Sequence, residues 1–182
     1  MFVFRNRCFS SSREYSSREI AKKQFEYARQ KLFKVNQWSF LSAYIAKFII
    51  YDPYYFKPTD ILEVGSYIKI SFPLSLPDNW VRVTKIRSND LEAFFVVQPT
   101  SSPFSAKKKK INHFLKKEAS STFKVKIKKT AIVGYEVGCN EVINNKGEQA
   151  GSRKIINTIM AWGGWLGLQN ILWGKLTKFL VR

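Results

Sequence analysis

Apolar residues recur along this chain in two rhythms, and the change between them divides it into elements. Early on the spacing is helical. Ser16 with Glu19 three residues later has the form of a capping box, and Ala21, Phe25, Ala28 and Leu32 follow at i, i+4, i+7 and i+11. This predicts a helix over about 17–33 whose apolar stripe docks on a core. From Trp38 the period falls to two. Tyr44–Tyr51 reads as a strand closed by Asp52-Pro53, and Ser66–Phe72 alternates with Ile68, Ile70 and Phe72 on one face. Pro73 and Pro77 bracket a turn. Trp80–Ile86 and Leu91–Gln98 read as a hairpin around Ser88-Asn89-Asp90. Phe94–Val97 is a continuous apolar run, the pattern of a strand covered on both faces.

Pro99–Lys110 has loop composition. Beyond it Thr122–Lys128 alternates cleanly, with Phe123, Val125 and Ile127 against Lys124, Lys126 and Lys128, and Ile132–Val137 is its expected hairpin partner. Asn144–Gly147 is a turn. The C-terminus returns to helix in two pieces, Arg153–Met160 and Leu166–Leu180, broken at Gly163-Gly164. The expected fold is therefore α+β: an N-terminal helix, a curved or barrel-like antiparallel sheet of about six strands, and a C-terminal helical segment packed on it. Residues 16–182 form the single domain expected, behind a flexible N-terminus over 1–15.

With 182 residues, 45% apolar and 15% aromatic, the chain has the material for one real core, which excludes wholesale disorder. Two cysteines, Cys8 and Cys139, make neither a disulfide framework nor a tetrahedral metal site. A single histidine, His113, removes most metal and triad chemistry. A Cys139–His113 nucleophilic pair is the weakest of the readings, with no motif around either residue. No convergent cluster of titratable groups is legible, so neither catalysis, a cofactor nor a metal is expected.

Charge is what stands out. Lys+Arg number 31 against 13 Asp+Glu, a net +18, and lysines outnumber arginines 22 to 9. Lysine is a point charge on a flexible stem, suited to general electrostatic attraction more than to bidentate base readout. Ten lysines and one acid fall between Lys107 and Lys129. The candidate binding residues are Lys107, Lys108, Lys109, Lys110, Lys116 and Lys117, with Lys124, Lys126 and Lys128 of the following strand. Phe104, His113 and Phe114 are possible stacking partners for a nucleic acid. The alternative is a solvated strand face whose lysines discourage edge pairing. Asn140, Glu141 and Arg153 form a second candidate, a polar group where a strand end meets the last helix.

Two further segments bear on location. Met1–Arg13 is basic, serine-containing and free of acids, the composition of a mitochondrial presequence as well as of an ordinary bacterial N-terminus. Ile155–Gly174 carries no charge over 20 residues and contains a Gly163-x-x-x-Gly167 spacing. Four polar residues and four glycines within it favour a core helix over a membrane span.

Five segments resemble, in the same order, an uncharacterised family of small bacterial proteins found mainly in Bacteroidetes. They are Lys31–Trp38, Gly65–Ile70, Trp80-Val81, Ser121–Phe123 and Gly138–Glu141. The resemblance spans about 22–180. The chain departs from the family in carrying Cys139 where arginine is usual, and Pro73–Pro77 where the family has a glycine-rich turn. The resemblance implies an intracellular bacterial protein, hence a cytoplasmic location, and brings no catalytic residues with it. The leading expectation is a non-catalytic binding or adaptor protein acting through protein contacts, as with a protein partner or as a component of a larger assembly. A basic RNA- or DNA-binding accessory protein using the 107–129 segment is the second expectation, and membrane association through 155–174 the third.

Overall fold

The computed structural model describes residues 6–41, 46–72, 76–106, 110–145 and 165–182. Among them, eight strands form one antiparallel sheet: β1 (Arg7–Glu14), β2 (Lys47–Tyr51), β3 (Pro58–Thr59), β4 (Tyr67–Ser71), β5 (Asn79–Ser88), β6 (Glu92–Pro99), β7 (Ser120–Lys128) and β8 (Ala131–Cys139). Their order is β1-β8-β7-β6-β5-β4-β2-β3, so the sheet is open, with edges at β1 and β3. Helix α1 (Arg18–Phe33), a short 3-10 helix (Val35–Leu41) and helix α2 (Trp165–Val181) pack on one face, here called the inner face.

The α+β class and the large antiparallel sheet agree with the sequence reading, while the strand count and barrel-like closure do not. The two additional strands are those least visible as apolar alternation. β3 is two residues long and begins with proline. β1, which falls in the segment expected to be flexible, turns only Phe9 as a large apolar side chain toward the inner face. It pairs along its whole length with β8, from Arg7 opposite Gly138 to Glu14 opposite Ala131. Such short or polar edges do not invite further strands.

α1 starts one residue later than the capping-box pattern implies. Ser17 is the N-cap, extended at φ −147°, and its Oγ accepts the Ile20 N–H at 3.2 Å. Ala21, Phe25, Ala28 and Leu32 are the buried stripe, as their spacing predicts. α2 lies against β1 and β8 where Gly134 removes a side chain: a Cβ there would stand 3.0 Å from the Thr177 carbonyl oxygen. Ser11 and Thr177 share a hydroxyl–hydroxyl bond of 2.9 Å, and Tyr15 Oη donates to the Val181 carbonyl at 3.2 Å. The run Phe94–Val97 is buried on one face only. Phe95 and Val97 are in the core, whereas Phe94 and Val96 are half-buried on the outer face.

No helix among the described residues is long and apolar enough to cross a membrane. The described part of the uncharged 155–174 segment belongs to α2, where Leu172 and Trp173 are buried in the core. Arg153–Met160 and the Gly163-Gly164 break lie outside the described residues.

Candidate functional site

Trp38 organises the space between sheet and helices. Its indole Nε1–H donates to the Lys31 carbonyl at 3.0 Å, which fixes the ring across the end of α1. The ring then meets Phe48 edge-on at 5.8 Å, stacks on Phe95 at 5.8 Å and lies 5.0 Å from Phe123. Phe123 in turn meets Trp173 of α2 edge-on at 5.3 Å. Asn36, two residues before Trp38, holds the 3-10 helix to the sheet. Its Nδ2 donates to the Thr59 carbonyl at 2.8 Å, and its Oδ1 accepts the Ile50 N–H at 2.8 Å.

These contacts leave a cavity. Val35 and Trp38 form one wall, and inward residues of the sheet, Ile68, Ile70, Val81 and Val97 among them, form the floor. Leu172 and Trp173 close it from α2. The space between the walls, including the open mouth, is about 570 Å³. Its enclosed part holds about three waters, so a ligand of ring size also fills the mouth.

Four polar side chains interrupt the apolar lining: Asn79, His113, Ser121 and Glu141. Asn79 and His113 are 2% and 7% exposed. His113 Nδ1 accepts the Leu115 N–H at 2.9 Å, so the imidazole is the neutral tautomer with its proton on Nε2. The loop carrying it is pinned by Asn144, whose Nδ2 donates to the Ile111 and His113 carbonyls and whose N–H donates to the Phe114 carbonyl at 2.8 Å. Glu141 faces Arg7 Nε of the edge strand at 3.5 Å.

Beside this polar end lies Glu136, 1% exposed and, among the described residues, without a hydrogen-bond partner at either carboxylate oxygen. Burial first, and then the charge of Glu141, push its pKa up to about 8. The nearby Ser121 hydroxyl and Arg7 guanidinium temper the rise without reversing it. A legible signal existed: Glu136 shares the inward parity of Ile132, with Gly134 and Gly138 on either side.

The other predicted residues fall elsewhere. Lys124, Lys126 and Lys128 alternate onto the outer face, opposite Phe123, Val125 and Ile127. Lys116 and Lys110 are half-buried and Lys117 exposed on the loop before β7, while Lys107, Lys108 and Lys109 lie outside the described residues. His113 and Phe114 are buried and do not serve as exposed stacking groups; Phe104 is exposed, packing on Trp80 and Tyr51. Cys139 alternates to the outer face while His113 lines the cavity, so no thiol–imidazole pair is assembled. Asn140 is exposed at φ 53°, its N–H donating to Asn6 Oδ1 at 3.2 Å. Glu141 does hold a basic partner, Arg7; Arg153 lies outside the described residues. The cavity itself is what sequence reasoning missed, because its walls come from nine separate segments.

Among solved structures, the chain is similar to a hypothetical protein from Helicobacter pylori, with a TM-score of 0.57 and 10% identity over 99% of this chain and 88% of that one. It is also similar to norcoclaurine synthase from Thalictrum flavum, at 0.48 and 12% identity over 99% and 97% of the two chains. Major latex-like protein 151 from Panax ginseng gives 0.45 and 7% identity over 97% and 99%. The first similarity shows a common fold, of the helix-grip type, and at that identity the fold alone; the other two, below 0.5, add nothing to it. No protein-family model and no curated protein matches the sequence.

Proposed function

We propose that the chain is a non-catalytic binding protein that takes a small, predominantly apolar molecule into the cavity between sheet and helices. The observation that carries this reading is the cavity wall: aliphatic and aromatic side chains on nearly every side, with Asn79, His113, Ser121 and Glu141 as the few groups able to orient a ligand. Polar side chains at one end of an apolar wall suit a hydroxyl or carbonyl on an otherwise apolar ligand. The expectation of a binding protein is kept, and its contact moves from the lysine-rich loop to the interior. Membership of the small bacterial family is part of the same proposal. Each of the five segments carrying that resemblance contributes to the wall: Val35 and Trp38, Ile68 and Ile70, Val81, Ser121 and Phe123, and Glu141.

The test uses a neutral naphthylamine dye, since an anionic one would bind a +18 surface. Dye emission should rise on mixing, with quenching of Trp38 and Trp173. Val97→Phe fills the space and should abolish the response at a stability cost of about 1–3 kcal/mol. Val97→Leu is the milder variant should the first not fold. Dye emission unchanged by either folded variant would overturn the proposal.

A further inference from the structure

The half of the sheet from β5 to β8 carries, on the face away from the helices, a surface that the cavity does not use. Strand register places Arg87, Phe94, Lys124 and Tyr135 directly across from one another on four consecutive strands. Basic and aromatic side chains thus alternate along one row. Rows to either side add Lys85 and Lys126, and Lys128 lies one further step along β7. The helices among the described residues pack on the inner face of these strands, away from this row. The other half is closed, because Phe104 and Phe56 lie over the ring cluster of Tyr51, Trp80 and Tyr67.

We propose that this open outer half of the sheet, with Phe94 and Tyr135 as stacking platforms among its lysines, is a docking surface for single-stranded nucleic acid. Charge complementarity is the first argument: the patch faces solvent in a chain of net charge +18 and includes a single acid, Glu92, among its central rows. The rings are the second. Lys85 and Lys124 hold their amines 5.6 and 5.8 Å from the Phe94 centroid, and Lys128 lies 5.5 Å from Tyr135. An ammonium over a half-buried ring at the surface is worth less than a base stacked on it, so bases displace the amines and free them to meet phosphates. The shape is the third. A shallow pleated face with strands about 4.8 Å apart has no projecting helix or ribbon to enter a duplex groove, while unstacked bases reach rings on such a face directly. An acidic protein would use the lysines and leave the rings without a role. Glu92, held by Lys124 at 2.8 Å, opposes phosphate and sets a sign that the experiment reads.

The measurement is fluorescence anisotropy of a labelled oligouridylate of about 12 nucleotides, matching known site sizes, on the full chain at several salt concentrations. The single strand should bind more tightly than a duplex of equal length. Changing Lys124, Lys126 and Lys128 together to Gln should reduce the log–log salt slope by about 2. Phe94→Leu should weaken binding roughly tenfold with the slope unchanged, and Glu92→Gln should tighten it. Circular dichroism confirms that each variant is folded, and Lys126→Gln alone, with a slope change of about 0.7, stands in if the triple variant is not. Equal binding of duplex and single strand, indifference to Phe94→Leu, or competition by polyglutamate as effective as by oligouridylate would each overturn the proposal, the last in favour of an acidic protein. Dye binding in the cavity should be unaffected throughout, so this surface and the cavity are tested separately.

Discussion

Glu136 is the residue at which chemistry and folding conflict most directly. A carboxylate removed from water without hydrogen bonds is costly, so the folded chain keeps the proton to about pH 8. In the unfolded chain the same group ionises near its ordinary value of 4.5. Between these two values the folded state binds one more proton than the unfolded state, and stability falls as pH rises through the window. The loss is of the order of a few kcal/mol and is complete above pH 8. Glu136→Gln removes the linkage. Its Tm should decline less than that of the parent between pH 5 and pH 9, and thermal melts giving parallel profiles would exclude Glu136 as the cause. Trp38 is the opposite case, large, 2% exposed and with its indole nitrogen satisfied. Trp38→Ala should cost about 3–5 kcal/mol and, by enlarging the cavity, change the dye response in the opposite sense to Val97→Phe; denaturant melts measure the first and dye emission the second.

Helix α1 and strands β2 and β4 to β8 are legible because one face of each is more buried than the other, so apolar spacing carries the geometry. Lys124, Lys126 and Lys128 point outward for that reason, and their strand was identified from it. β1 fails the same test. Ser10, Ser11 and Ser12 give no alternation, and its position rests on backbone bonds to β8 and on Ser11 meeting Thr177. That the C-terminal helix packs on the sheet was expected, but its place against β1 and β8 was hidden, since it depends on an absent side chain. Gly134→Val should therefore lower stability by about 1–3 kcal/mol through backbone contact with Thr177, visible as a reduced denaturation midpoint. Cap positions are uncertain by a residue from sequence, because Ser16 and Ser17 are chemically equivalent and only backbone dihedrals separate them.

Across the molecule, a net charge of +18 repels itself whenever the chain is compact. The four ion pairs among the described residues engage few of the bases. Raising salt from about 0.05 M to about 0.5 M should raise Tm by several degrees, as screening shortens the reach of the repulsion. Scanning fluorimetry checks this, and a flat response would mean that the charges are spaced too widely to matter. The same repulsion makes the outer face between β5 and β8 receptive to a polyanion, which should stabilise the chain at low salt only.

Composition and periodicity were enough for the α+β class, the docked first helix, six of the strands and the outward lysines, since each depends on neighbours within a few residues. The eight-strand count, the open edge made by β1, and the cavity depend on segments far apart in the chain. Val35, Ile68, His113, Glu141 and Trp173 share one space because the sheet pairs its first strand with its last and the helices cross its inner face. No local pattern records that pairing. Burial of Glu136 belongs with it: its inward parity was readable, but the dryness around it comes from α1, α2 and Phe9 closing over β8.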